Sequence, residues 1–279
     1  MKSRQILSKN ADYQKFEVLK TNRNKRYKYG EFFVEGVRNL NEAVKNGWEI
    51  SSFLYAPERP LSNWAAEMLG KVKTQVNFQL SPALMAELSG KEDTSELMAV
   101  VKMREDDLSR LTASLKGSGK APLFLLFDRA SNRGNLGTIL RSCDALGADG
   151  LILTGHGVDL YDPEVVGASM GSFFHVPAVR VADNGTVFRF LTEMKEKYPG
   201  FLAVGTTAHK QHVLYEQDLT CPLLLMVGNE TDGLCHAFKE ACDMLCTIPM
   251  AETSSASSFN VACAATVMLY EAARQRAEQ

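Results

Sequence analysis

From residue 121 onward the chain alternates between short apolar runs and longer amphipathic stretches. LFLLF is followed by LGTILRSCDALG, GLILTG by EVVGASMGSFF, and VPAVRV by TVFRFLTEMKEKY. FLAVGTT then runs into a polar loop holding His209 and His212, LLLMV precedes LCHAFKEACD, and LCTIPM precedes SSFNVACAATVMLYEAARQR. Antiparallel strands can close through a tight hairpin, whereas parallel strands need a crossover long enough for a helix. Repeated βα units therefore predict a mostly parallel sheet with helices on both faces. Such sheets bind ligands in a crevice at the carboxyl ends of their strands. The last two apolar runs stop abruptly in small and polar residues, so the expected site lies within residues 223–276.

A chain of 279 residues exceeds the size at which single cores stop growing, roughly 250 residues, and two domains are expected. Residues 1–105 form a smaller alternating unit. The spacing predicts a helix over residues 10–30, a strand at EFFVEG and a helix at VRNLNEAVKNG, where Val37, Leu40 and Val44 share a face and Gly47 marks the stop. Strand ISSFLYA, helix WAAEMLGKV, strand VNFQL, helix PALMAELS and strand ELMAVVKM complete it. Residues 106–120 turn charged and then small, ending in GSGK, and read as a flexible linker to a second domain over 121–279.

An apolar fraction of 45% with 23% charged residues is ordinary for a soluble globular protein. Cysteines 143, 221, 235, 242, 246 and 263 include no CxxC pair, so reduced thiols are expected, and neither a structural zinc site nor any other metal. No apolar run approaches the 18 or so residues of a membrane helix. MKSRQILSKN lacks the apolar centre of a signal peptide, so the cytoplasm is the expected location. The net charge of -2 hides an uneven distribution: residues 1–38 hold ten Lys and Arg against four acids. Within that stretch TNRNKRYKY interleaves basic residues with tyrosines. Both a solvated face and a phosphate-contacting surface fit this pattern, the latter with Arg23, Lys25, Arg26 and Lys28 as contacts.

Three segments of the second domain carry candidate chemistry. In SNRGNLGT, Gly134 and Gly137 open a helix whose N-terminus favours an anion or merely closes a βα turn. The spacing is not the GxGxxG of a dinucleotide site, which argues against a nucleotide-dependent oxidoreductase. Farther along that helix Arg141 stands among Leu, Ile, Cys and Ala. A guanidinium on the core side needs a partner or a task. In VGNETDGL a strand ends at Gly228, and Asn229 and Glu230 form a tight turn or a cap for the next helix. Ser257 or Ser258 is the natural N-cap of the final helix, with Asn260 in its first turn. No GxSxG nucleophile elbow is present, and GASMG at 167–171 falls inside a helical pattern.

Together these segments resemble the three motifs of the SpoU (TrmH-type) branch of the SPOUT superfamily of RNA ribose 2'-O-methyltransferases. NRGNLGTILRSCDALGADGLIL resembles the first, LLLMVGNETDGL the second, and IPM with SSFNVACAATVMLYE the third. DLYDPEVVGASMGSFFHVP is similar to the segment between them. FFVEGVRNLNEAVKNG and LSPALMAELSGKEDTSELMAVV resemble the family's small N-terminal substrate-binding domain, itself related to ribosomal RNA-binding proteins.

The resemblance implies an α/β fold whose C-terminal parallel-sheet domain carries a deep trefoil knot, preceded by a small α/β RNA-binding domain. It implies S-adenosyl-L-methionine as cofactor, RNA as substrate with ribosomal RNA favoured over transfer RNA, and a homodimer paired through the knotted domains. A non-catalytic RNA-binding protein of the same fold is the alternative. Arg141, Asn135, Glu230, Ser258 and Asn260 match catalytic positions, while Gly228, Asn229, Ile248, Met250 and Phe259 match the cofactor pocket. A guanidinium, with a pKa above about 12, is a poor base. Arg141 is therefore expected to clamp the phosphate beside the reacting ribose and to stabilise charge on the 2'-oxygen, with Glu230 orienting Arg141 or the RNA. The chain departs from the family where Asn132 and Arg133 replace a common Asp-Pro, and Arg133 thereby becomes a further RNA-contact candidate. Glu252 replaces a common Gly, the loop from Met250 to Ser258 is about two residues longer, and no Gln-Gly occurs near Thr94.

Overall fold

A computed structural model describes residues 2–115, 119–208 and 212–277. Gly117 and Ser118 of the expected linker and His209 of the polar loop lie outside the described residues. Chain contacts divide the protein into two units, Met1–Arg104 with Asp159–His175, and Glu105–Val158 with Val176–Gln279.

The strands of the first unit are β1 (Ser3–Ile6), β2 (Glu31–Glu35), β3 (Ile50–Tyr55), β4 (Asn77–Leu80) and β5 (Leu97–Lys102). They form a mixed sheet in the order β1-β4-β3-β5-β2, in which β5 runs antiparallel to both neighbours. β1 was not anticipated, because SRQI carries one buried side chain and no apolar run. The helix expected over residues 10–30 breaks at Asn22. That residue ends helix Ala11–Thr21 and caps helix Arg23–Tyr29, its Oδ1 accepting the Lys25 N–H at 3.1 Å. A polar side chain that competes for backbone donors favours such a break over helix interior.

The same unit recruits Asp159–His175, residues that the linear reading assigned to the C-terminal domain. Tyr161, Phe173 and Phe174 cluster with Phe32 and Trp48. Trp48 Nε1 donates to the Phe174 carbonyl at 2.8 Å. The helix expected across EVVGASMGSFF divides into Pro163–Ala168 and Ser172–His175, because Met170 and Gly171 take positive φ, 51° and 98°. Ser169, at the centre of GASMG, is fully buried, and its hydroxyl donates to the Val166 carbonyl.

Arg26 corrects the reading of the basic cluster. Its side chain is only 2% exposed; Nε donates to Asp159 at 2.7 Å, and Nη1 to the Leu19 and Lys20 carbonyls at 2.9 and 3.0 Å. Tyr27 also donates to Asp159, at 2.7 Å, which ties its hydroxyl into the fold. Lys28 is exposed, and Arg23 and Lys25 are half-buried. Arg26 is thus internal to the fold and takes no part in an RNA-facing surface. Arg26→Met is expected to leave Asp159 without its buried cation and to cost about 3–5 kcal/mol, read from urea unfolding.

The second unit holds β6 (Leu123–Asp128), β7 (Gly150–Thr154), β8 (Ala178–Val181), β9 (Leu202–Thr206), β10 (His212–Val213), β11 (Leu223–Val227) and β12 (Met244–Thr247). All paired strands are parallel, in the order β10-β12-β9-β11-β6-β7-β8. Central β6 and β11 are buried along their whole length, which is why they read as unbroken apolar runs. On one face Phe124, Leu126, Leu224 and Met226 pack with Val187, Phe190 and Met194 of helix Asn184–Lys197 and Phe238 of helix His236–Ala241. Helices Arg133–Ala145 and Val261–Ala277 pack together elsewhere in the unit, joined by the Ser142 and Thr266 hydroxyls at 2.6 Å. His212 does not lie in a loop but pairs beside Cys246. The expected linker also contributes to this core: Ser109–Thr112 is helical, and Leu111 and Leu115 are buried with Phe124 and Ile152. Among the described residues no helix is long and apolar enough to cross a membrane.

Candidate active site

Because β6, β9, β11 and β12 are parallel neighbours, their carboxyl ends bring the loops that follow them to one edge of the sheet. The loop after β6 leads into helix Arg133–Ala145. Asn132 caps it, its Oδ1 accepting the Asn135 N–H at 2.9 Å. Asn at this position performs the capping that an Asp performs equally well, so the departure from the family's Asp-Pro leaves the helix start intact.

After β11 the chain doubles back at once. Asn229 and Gly233 exchange backbone hydrogen bonds of 3.1 and 3.0 Å. A Cβ on Gly228 would lie 2.0 Å from the Gly233 carbonyl carbon, so only glycine allows this turn. Asn229 holds the turn from inside, accepting the Thr231 N–H at 2.8 Å and donating to the Arg129 carbonyl at 2.9 Å. The turn places Glu230 against the start of helix Arg133–Ala145, where Asn135 Nδ2 donates to Glu230 Oε1 at 3.0 Å and Ser131 donates to the other carboxylate oxygen.

The third loop supplies Asn260. Its Oδ1 accepts the Ala262 and Cys263 N–H groups at 2.9 and 3.3 Å, so Asn260, and not Ser257 or Ser258, caps the last helix. Those backbone donors fix which end of the amide is oxygen. Asn260 Nδ2 consequently faces Asn135 Oδ1 at 3.2 Å, and Asn135 must present its own Nδ2 to Glu230. One oriented chain, Asn260 to Asn135 to Glu230, thus joins all three motif segments and ends on a carboxylate.

Burial alone would push the Glu230 carboxyl up, but hydrogen bonds from Asn135, Ser131 and backbone outweigh it and hold the group below the ordinary glutamate range. A depressed folded-state value stabilises above the unfolded value, and the contribution is lost as pH falls through the folded one. The melting-temperature difference between wild type and Glu230→Gln is therefore expected near neutrality and to shrink as pH drops below about 4.

Arg141 lies on the exposed side of its helix, whose buried side is Leu136, Ile139, Leu140 and Cys143. Among the described residues it makes no hydrogen bond or ion pair. The core-side placement is corrected, and of the two roles expected for Glu230, orienting Arg141 or the RNA, no contact with Arg141 is made among the described residues. A 3.6-residue periodicity tolerates one basic residue facing outward from an apolar stretch. Residues 251–260 are exposed throughout, Ser258 and Glu252 among them, and Ser258 makes no hydrogen bond among the described residues. Met250 and Phe259 are 37% and 43% exposed, beside half-buried Ile248. Among the described residues the backbone of Ile248 and Met250 makes no hydrogen bond. Free strand-end backbone next to uncovered apolar side chains suits a ligand with a flat, partly apolar body and a polar edge. Arg133 is exposed. Sequence reasoning missed Ser131 as a Glu230 partner, since a serine 99 residues away carries no local signal.

Residues 122–270 match the model of the SpoU rRNA Methylase family, and residues 10–99 that of the SpoU L30e-like domain. The chain belongs to the SpoU rRNA methylase family. It is similar to the 23S rRNA (uridine(2479)-2'-O)-methyltransferase of Streptomyces viridochromogenes, with 45% identity over 98% of this chain and 93% of that protein. The crystal structure of the SpoU methyltransferase AviRb from Streptomyces viridochromogenes in complex with AdoMet superposes with a TM-score of 0.89 at 45% identity, covering 96% of this chain and 98% of that one. An AdoMet-bound rRNA methyltransferase from Sinorhizobium meliloti does so with a TM-score of 0.81 at 26% identity, over 98% of each chain.

Proposed function

We propose that this SpoU-family protein transfers the methyl group of S-adenosyl-L-methionine to a ribose 2'-hydroxyl of ribosomal RNA. The observation that carries the reading is the hydrogen-bonded chain Asn260–Asn135–Glu230, which draws the three motif segments to one point at the carboxyl edge of the sheet. The AdoMet-bound relatives support the cofactor, and the Streptomyces relative supports ribosomal RNA.

Gly228, Asn229, Ile248, Met250 and Phe259 would hold the cofactor through strand-end backbone and apolar contact. When bound, the cofactor supplies a methyl carbon already activated as a sulfonium. The chain's own residues have the remaining tasks. Asn135, Asn260 and the exposed Ser258 position ribose and phosphate, and Glu230 fixes the Asn135 amide. Arg141, which has no hydrogen-bond or ion-pair partner among the described residues, clamps the adjacent phosphate and offsets negative charge as it develops on the 2'-oxygen. Lys28, Arg23, Lys25 and Arg133 remain the RNA-contact candidates.

The last segments of the chain thread a trefoil knot in this proposal, and two copies pair through the C-terminal domains in the cytoplasm. The stripe Cys263, Val267 and Tyr270 on helix Val261–Ala277 supports that pairing. It repeats every three to four residues, and Val267 and Tyr270 remain 37% and 57% exposed.

The test is transfer of labelled methyl from S-adenosylmethionine to bulk ribosomal and transfer RNA, followed by alkaline hydrolysis. Alkali cuts only beside a free 2'-hydroxyl, so ribose methylation leaves label in resistant dinucleotides. Label in dinucleotides from ribosomal RNA is expected. Label in mononucleotides would indicate base methylation and refute the proposed reaction, and label confined to transfer RNA would replace the substrate.

A further inference from the structure

Arg129 connects two loops and the end of β7, and the methyl-transfer reading gives it no role. It and Met170 are the non-glycine residues with positive φ among the described residues, Arg129 at 53°. Side chains with a Cβ rarely adopt that backbone conformation. The residue is held there from every direction. Nε donates to Asp128 at 3.0 Å, Nη2 to the Gly233 carbonyl at 2.7 Å, and Nη1 lies 3.7 Å from Asp232. Its backbone N–H donates to the Thr154 carbonyl at 3.2 Å, and its own carbonyl accepts Asn229 Nδ2 at 2.9 Å. Asp128, 2% exposed, also takes the Thr154 hydroxyl at 2.8 Å and the Cys235 N–H at 2.9 Å. The loops after β6 and β11 and the end of β7 are thereby tied together through one dipeptide. The two bonds to the β11 turn fall on Asn229 and Gly233, on either side of Glu230.

We propose that Arg129 is a positioning residue for methyl transfer, a latch that pins the Asn229–Gly233 turn to the first motif loop so that Glu230 meets Asn135. This rests on the reading of the site given above. A latch of this kind acts on the number of conformations open to Glu230. Releasing it lowers the fraction of molecules with an aligned site and slows the chemical step while leaving the RNA's own contacts in place.

The test compares Arg129→Gly, Arg129→Met and Arg129→Lys in the full-length chain. Glycine accepts the left-handed backbone without strain, so Arg129→Gly removes the guanidinium and relieves the backbone, whereas Arg129→Met removes the guanidinium and keeps the strain. Amide hydrogen exchange, followed by mass spectrometry without substrate, is expected to rise at residues 229–235 in the Gly and Met variants. With ribosomal RNA and saturating S-adenosylmethionine, kcat is expected to fall about 100-fold with the KM for RNA changed less than about threefold. Lysine, which offers a point charge in place of a fork, should recover about a tenth of the rate. Wild-type exchange in the turn of Arg129→Gly overturns the latch, and so does a wild-type kcat. A kcat loss matched by an equal rise in the KM for RNA also overturns it, since that marks lost RNA binding. Absence of methyl transfer in the wild type refutes the catalytic reading, whereas the exchange measurement still decides whether Arg129 pins the turn.

Discussion

Asn135→Ala is expected to fold normally and to transfer methyl groups about 100- to 1,000-fold more slowly than wild type, the range seen when one preorganised polar group is removed from a reacting centre. The reason lies in its place in the chain of amides. Truncation removes the donor to Glu230 Oε1 and the acceptor of Asn260 Nδ2 together, so two loops lose their common reference. The cost in stability should be small, about 1 kcal/mol, because the site is partly open to water and the freed groups can be solvated. Single-turnover rates with saturating RNA separate this from weaker binding. A double-mutant cycle supplies the stricter check. If the three residues act as one unit, adding Asn260→Ala to Asn135→Ala should lose little further rate, and the coupling energy should reach about 1–3 kcal/mol. Strictly additive losses would mean that the residues act separately.

Much of this architecture is legible from sequence because the physics involved is local. β6 and β11 are five- or six-residue runs, apolar but for the terminal Asp128, bounded by polar loops, too short for a helix and in keeping with strands buried on both faces. Gly228 sits where a strand must reverse within one residue, and the clash of any Cβ with the Gly233 backbone states the same constraint in three dimensions. What was not legible depends on partners far away in the chain. Arg26 has the same local setting as Lys25 and Lys28, and its burial follows only from Asp159, 133 residues later. The recruitment of Asp159–His175 to the first unit rests on aromatic contacts with Phe32 and Trp48, which no window of sequence contains. The final cap shows the limit within a single loop. Ser257, Ser258 and Asn260 are all good N-caps, and choosing Asn260 requires knowing that Asn135 waits to receive the other end of its amide.

Arg141→Ala should show the opposite balance between stability and activity from Arg26→Met. Both residues are arginines on helices, yet Arg26 is enclosed by acceptors and Arg141 is exposed without any among the described residues. Exposed side chains with no intramolecular partner change stability by about 0.5 kcal/mol or less, so the melting temperature of Arg141→Ala should be nearly that of wild type. An arginine that has no polar partner among the described residues and lies on the helix that starts at the motif residues is available for substrate. If it clamps a phosphate and faces charge growing on the 2'-oxygen, its removal should lower kcat/KM about 1,000-fold. Arg141→Lys tests which property matters. A lysine restores the charge but not the two parallel donors, and should recover only part of the loss, leaving the rate about 10- to 100-fold below wild type. Full activity of Arg141→Lys at saturating RNA would show that charge alone suffices and that the bidentate clamp is wrong. Full activity of Arg141→Ala would remove Arg141 from the mechanism and leave charge stabilisation to be sought among the other polar groups at the sheet edge.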